Sequence, residues 1–289
     1  MKKRKGILLA GGSGTRLHPI TLGISKQLLP IYDKPMVYYP LSVLMLAGIK
    51  EIAIITTQDD QAQFMNLMGN GSQWGIQLTY IVQPSPDGLA QAFILAEDFL
   101  DGAPSTMILG DNIFHGDGLR KLLNTANNAT QGASVFGYHV SDPERYGVVG
   151  FDDTGNVKSI IEKPKKPASN YALVGLYFFD ETASNRAKNI KPSERNELEI
   201  TSLLISYLSD DALSLKKMNR GYAWLDTGTH DSLLDAGNFV RTLEKRQGLQ
   251  IGSPDITAFE NRWISSKDLK LRADKFSKNS YGKNLSRFN

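Results

Sequence analysis

Residues 11–16, Gly11-Gly12-Ser13-Gly14-Thr15-Arg16, have the composition of an anion cradle. Glycine has no Cβ, so the backbone turns tightly and can press its N–H groups against a bound group. Arg16 closes the run and Lys26 follows ten residues later, adding two full positive charges to one region. The chemistry that this set suits is the holding of phosphate. Three more polar groups stand at expected strand ends: the turn 83–88, Asp111, and Glu162-Lys163 with Asp226. On residue type alone, a single Asp after a strand caps a turn at least as readily as it binds a metal. Glu162-Lys163-Pro164 equally suits the end of a hairpin.

The elements that must place these groups read as strand and helix in alternation. Ile7–Ala10 is an apolar run for one buried strand; Pro35–Gly48 reads as a core helix and Glu51–Thr56 as the second strand. Asp59–Met68 is a helix stopped by Gly69-Asn70-Gly71, and Ile76–Val82 alternates as a third strand. Leu89–Phe99 reads as helix and Thr106–Leu109 as strand, so a parallel sheet with helices on both faces is expected. Ala133–Val140, Tyr146–Phe151, Val157–Glu162 and Tyr171–Phe179 then read as consecutive strands, which extends the sheet in antiparallel or mixed fashion. Glu197–Leu208 is an expected helix, Ala223–Asp226 a late strand, and the chain from His230 onward is expected to be helical. We divide it into a core, residues 1–240, and a helical extension, residues 241–289. In such sheets ligands bind at the carboxyl ends of the strands, where all four polar groups fall.

Composition narrows the chemistry. With no Cys among 289 residues, disulfides, thiolate zinc sites and a cysteine nucleophile are excluded, and a reducing cytoplasm is the expected location. Residues 262–289 carry eight Lys/Arg against two Asp, so this tail holds +6 and the rest of the chain −3. No nucleic-acid motif accompanies that charge, and no segment is apolar for long enough to span a membrane, so neither partner is expected. Leu17 stands where a dinucleotide fingerprint needs its third glycine, which disfavours a nicotinamide dehydrogenase, and no P-loop sequence is present.

Leu9–Leu17 followed by Lys26-Gln27-Leu28-Leu29-Pro30 resembles the signature of the sugar-1-phosphate nucleotidylyltransferases. Gln83–Ala92, Leu109–Asn112, Asp142–Val149, Glu162–Pro164, Ser169–Ala172, Glu197–Thr201 and Gly221–His230 narrow the resemblance to members that make dTDP-glucose from dTTP and glucose 1-phosphate. It implies a Rossmann-like α/β nucleotidyltransferase fold, a mixed, mostly parallel sheet flanked by helices, in a homotetramer feeding dTDP-rhamnose and related deoxysugars. By that resemblance Arg16, Lys26 and Lys163 are catalytic. Gly11, Gly12, Ser13, Gly14, Thr15 and Gln27 bind the nucleotide, with Gln83 and Gly88 at the base. Tyr146, Gly147, Glu162, Lys163 and the backbone at Val174 bind the sugar phosphate, and Asp111 and Asp226 hold Mg²⁺.

Three departures accompany it. Leu173-Val174-Gly175 replaces a usual Val-Thr-Gly, and Ser202 replaces a common Asp. In Ser253–Glu260, a segment that in the family helps form a second nucleotide-sugar site for feedback inhibition, Glu260 replaces an Arg. Weakened feedback is the expectation. Two other readings stay open: a silent nucleotide-sugar sensor, which should lack one of the five key charged residues, and an enzyme that uses UTP.

Overall fold

The computed structural model describes residues 2–12 and 14–288; Ser13, assigned above to the nucleotide loop, lies outside them. Four parallel strands form one half of the main sheet. They are β1 (Lys5–Leu9), β4 (Glu51–Thr56), β5 (Gln77–Val82) and β6 (Ser105–Leu109), in the order β6-β1-β4-β5. The run Ile7-Leu8-Leu9 is apolar at every position because both faces of β1 are covered. Leu8 enters a core shared with Leu41, Leu44 and Leu123, whereas Ile7 and Leu9 enter another with Phe93, Tyr177 and Leu204. These contacts place α1 (Tyr38–Leu46) and α5 (Leu119–Asn127) on one face. The other holds α3 (Gln91–Leu95), α4 (Glu97–Leu100), α6 (Ala183–Asn189) and α7 (Ile200–Ser209). The second helix, α2 (Gln61–Met68), leads into β5.

The other half is mixed. The long strand β11 (Tyr171–Phe179) pairs along one edge with β8 (Ala133–His139), which in turn pairs in parallel with β12 (Leu213–Met218). Its other edge forks. Leu176–Phe179 pairs antiparallel with β6, while Ala172 pairs with β9 (Gly147–Phe151), whose hairpin partner is β10 (Val157–Glu162). Between these pairings, residues 173–175 face a gap in the sheet. A separate ribbon joins β7 (Asn112–Gly116) to β13 (Tyr222–Asp226), with Asp226 opposite Asn112. This register carries Asp226 to the side of Asp111 across 115 residues of chain.

A short hairpin, β2 (Pro30–Ile31) and β3 (Lys34–Pro35), follows the glycine loop. Lys34 is buried there and donates to Glu244 Oε1 at 2.8 Å, with Asp33 as its second carboxylate partner. Glu244 belongs to α8 (His230–Gln247), which starts in a capping box between Thr229 and Ser232 and stops at Gly248, whose φ is 73°. The helix is continuous through residues 240 and 241, where the sequence division was drawn. The remaining helices, α9 (Pro254–Glu260), α10 (Ser266–Lys275) and α11 (Ser280–Leu285), share a small core of Ile256, Leu269, Tyr281 and Leu285. Buried Asp255 accepts from Arg272 Nε and Tyr281 Oη at 2.6 Å each. The mixed sheet flanked by helices and the helical C-terminus are as expected. The elements not anticipated are β2, β3, β7, β12, α5 and α6, and the expected helix 89–99 is two short ones. No helix among the described residues is long and apolar enough to cross a membrane.

Candidate functional site

Two cavities open at the carboxyl ends of β1 and β6 and share Arg16, Leu89, Leu109 and Asp111. The first, of about 260 Å³, is walled by Gly11, Gly12, Gly14, Thr15, Lys26 and Gln27. The N–H groups of Gly11, Gly12, Gly14 and Thr15 donate to no acceptor among the described residues, so they are free to meet an anion. Ser25 Oγ donates to Gln27 Oε1 at 2.8 Å, which leaves the Gln27 amide NH₂ for the cavity. Gly228 lies against the Arg16 guanidinium, where a Cβ would come within 3.1 Å. Sequence reasoning passed over this glycine, although it stands in the quoted Asp226–His230 run.

The second cavity, of about 290 Å³, lies over the gap in the sheet. Tyr146, Gly147, Glu162, Lys163, Trp224 and Asp226 line it, and Leu173 and Gly175 form its floor. Val174 points the other way, fully buried in the core among Val37 and Phe136, so only its backbone can serve this cavity. Lys163 has a left-handed backbone (φ 41°), pinned by its N–H on Tyr146 O at 3.0 Å. Such strain in a non-glycine residue persists only where the surroundings over-determine it. Three carboxylates, Glu162, Glu197 and Glu199, surround Arg195 at 3.7, 3.6 and 2.8 Å. Burial raises the Glu162 pKa and Glu199 adds to the effect, against the opposing charges of Lys163 and Arg195.

Asp111 and Asp226 sit where the cavities meet. Burial alone would raise the Asp111 pKa, but the Lys26 ammonium on Oδ2 and the Asn112 amide on Oδ1 hold it below the usual value. Asp226 is the reverse: burial and the Asp111 charge raise its pKa despite Lys26, Arg16 and Arg145. Among the described residues nothing donates a hydrogen bond to its carboxylate, and no group of three or more His, Cys, Asp or Glu is placed to hold a metal ion by itself. Two half-buried, mutually repelling carboxylates form a hard-oxygen donor pair, which fits a Mg²⁺ that takes its other ligands from phosphate and water.

Asn112 lies in this site and was quoted in the sequence reading without an assignment. Its Nδ2 donates to Asp111 Oδ1 at 2.8 Å, while its Oδ1 accepts from Trp224 Nε1 at 2.6 Å and Gly175 N at 3.1 Å. One buried amide therefore bridges the Asp111 carboxylate, the aromatic wall and the gap in β11. Thr227 pins the same turn by donating from Oγ1 to Asp111 O at 2.8 Å. Replacing Asn112 with Ala orphans two buried N–H groups. A loss of about 2–4 kcal/mol is expected in urea unfolding, with a drop in activity larger than that of an equally destabilised variant remote from the site.

The base-reading assignments look different in space. Gln83 and Gly88 line neither cavity. Gln83 is buried behind Gly11, its amide oxygen occupying the space a Cβ at 11 would need. Gly88 (φ 107°) was expected to be glycine so that the main chain could approach a base. Its Cβ direction is filled by the Leu198 backbone within 2.7 Å, and Leu198 N donates to Asp87 O at 2.6 Å. The glycine is required by chain packing; its N–H still has no acceptor among the described residues.

The comparisons with known proteins agree with this architecture. Residues 5–242 match the family described as nucleotidyl transferase. A glucose-1-phosphate thymidylyltransferase of Xanthomonas campestris pv. campestris is 59% identical over 99% of this chain and 97% of its own. One of Neisseria gonorrhoeae is 55% identical over 97% and 98%. Among solved structures, a candidate glucose-1-phosphate thymidylyltransferase of Bacillus anthracis, in complex with sucrose, superposes with a TM-score of 0.77. It is 40% identical over 82% of this chain and 95% of that one. The chain belongs to the nucleotidyl transferase family and, within it, to the glucose-1-phosphate thymidylyltransferases.

Proposed function

We propose that this protein joins dTTP and α-D-glucose 1-phosphate to give dTDP-glucose and pyrophosphate. The observation that carries the reading is the meeting of two cavities at Arg16 and Asp111, one walled by loop N–H groups with no acceptor among the described residues and the other by Lys163 and carboxylates. The triphosphate lies in the first cavity on the N–H groups of Gly11, Gly12, Gly14 and Thr15, with Lys26 and Arg16 countering its charge. The glucose unit lies in the second against Tyr146, Gly147 and Glu162, the Val174 backbone at its edge. Lys163 holds the sugar phosphate and aims one oxygen at the α-phosphorus. That oxygen is already ionised at neutral pH, so no general base is needed; the P–O bond forms as the bond to pyrophosphate breaks. Positioning and charge supply the catalysis. Asp111 and Asp226 would hold Mg²⁺, which when bound supplies Lewis-acid stabilisation of phosphate charge.

The product feeds dTDP-rhamnose and related deoxysugars, and the enzyme works in the cytoplasm as a homotetramer. Regulation by a product-derived nucleotide sugar is weakened, because Glu260 occupies the place of a phosphate-binding Arg and pairs with Arg120 Nη2 at 3.1 Å. The test is pyrophosphate release from glucose 1-phosphate with each nucleoside triphosphate, with Mg²⁺ and with EDTA. Turnover with dTTP that EDTA abolishes is expected; preference for UTP would move the reading to the uridylyl class. Full inhibition by micromolar dTDP-rhamnose would overturn the regulatory part.

A further inference from the structure

Asp87, Gln91 and Gln83 form a directed chain of hydrogen bonds ending at the glycine loop. Ser85 Oγ donates to Asp87 Oδ2, and so does Gln91 Nε2, at 2.8 Å. Gln83 Nε2 donates to Gln91 Oε1 at 2.7 Å. The remaining atom of the Gln83 amide, Oε1, lies over Gly11 and accepts from no group among the described residues.

The direction of this chain is set at its outer end. A carboxylate offers acceptors only, so Gln91 must turn its NH₂ toward Asp87 and its oxygen toward Gln83. Gln83 must then turn its own NH₂ toward Gln91. We propose that Asp87, acting through Gln91, fixes the Gln83 amide with its oxygen toward the loop and so selects a pyrimidine that carries a proton on N3. Thymine and uracil carry one; cytosine presents a lone pair there and meets an oxygen with an acceptor. Asp87 and Gln91 are thus positioning residues for base specificity, and the assignment rests on the reading of Gln83 as the base contact of a dTTP enzyme.

The experiment measures kcat/KM for dTTP, dUTP and dCTP with glucose 1-phosphate, in the wild type and in Asp87→Asn, Asp87→Glu and Gln91→Leu. The dUTP-to-dCTP ratio is the readout, since neither base carries the methyl group and a general folding defect lowers both rates together. Asn at 87 can donate to Gln91 and reverse the whole chain, so the ratio is expected to fall about tenfold, as for one misdirected hydrogen bond. Gln91→Leu cuts the chain and lowers the ratio likewise, whereas Asp87→Glu keeps an acceptor and preserves it. A wild-type ratio in Gln91→Leu, which leaves Gln83 no link to Asp87, overturns the proposal whatever its absolute rate. A wild type that turns over no thymine or uracil triphosphate overturns the underlying dTTP reading as well, and that outcome is distinct from an unchanged ratio.

Discussion

Asp226→Asn is expected to abolish turnover while making the folded protein more stable. The carboxylate is half-buried beside Asp111, and burial and that neighbouring charge both raise its pKa. A carboxylate whose folded pKa is raised contributes stability only at pH values below its unfolded pKa, and loses it as pH climbs through the folded value. At neutral pH, in metal-free buffer, its charge therefore opposes folding, and the neutral amide removes that penalty. A rise in Tm on the order of 2 °C is reasonable for a chain of this size. Activity should fall by 10³-fold or more, since the same charge is needed to gather cations around phosphate. Asp111→Asn has the opposite sign in stability. Asp111 is held below its usual pKa by Lys26 and Asn112, so its charge stabilises the fold above the unfolded pKa, and the variant should melt lower. Differential scanning fluorimetry of both variants in EDTA decides the matter; a drop in Tm for Asp226→Asn would refute the account of the pair.

Arg16→Ala carries the second large effect. The guanidinium stands at the junction of the two cavities and has no hydrogen-bond partner among the described residues, so the fold should tolerate its removal. A preorganised cation at the reacting phosphate is worth about 10²–10³ in kcat. The loss should appear in kcat more than in the KM for dTTP, because Lys26 and the loop N–H groups still hold the triphosphate. Arg16→Lys should recover only part of it, since a point charge cannot reproduce the planar fork. A KM effect with unchanged kcat, seen in steady-state rates, would place Arg16 in ground-state binding alone.

The legible parts of the chain are those whose local pattern and tertiary role coincide. Ile7-Leu8-Leu9 is apolar throughout because two cores need it, and Val157–Glu162 with its turn at 152–156 is the observed hairpin strand. The strand Asn112–Gly116 escaped reading because Asn112 and His115 make it polar, and its partner lies more than a hundred residues away. Leu119, Leu122, Leu123 and Ala126 carry the helical spacing of α5, on a segment of only nine residues between two strands. In the site, residue types pointed to phosphate chemistry, and the structure brings Arg16, Lys26, Asp111, Lys163 and Asp226 to two adjoining cavities. What spacing could not convey is the bridging by Asn112 or the true occupant of the space beside Gly88, because both depend on backbone groups from Gly175 and Leu198. Those contacts leave no local pattern.

The ion pair between Lys34 and Glu244 bears on how far the enzyme can be shortened. The matched family region closes at residue 242, two positions before Glu244. A chain cut there would strand an ammonium group in the interior with Asp33 alone, six residues past the end of the short Lys26-Gln27-Leu28 turn. Removing one partner of a buried pair costs about 3–5 kcal/mol. The minimal working unit therefore reaches past the end of the matched family region, and a library of shortened variants should show a cliff at Glu244 rather than a slope.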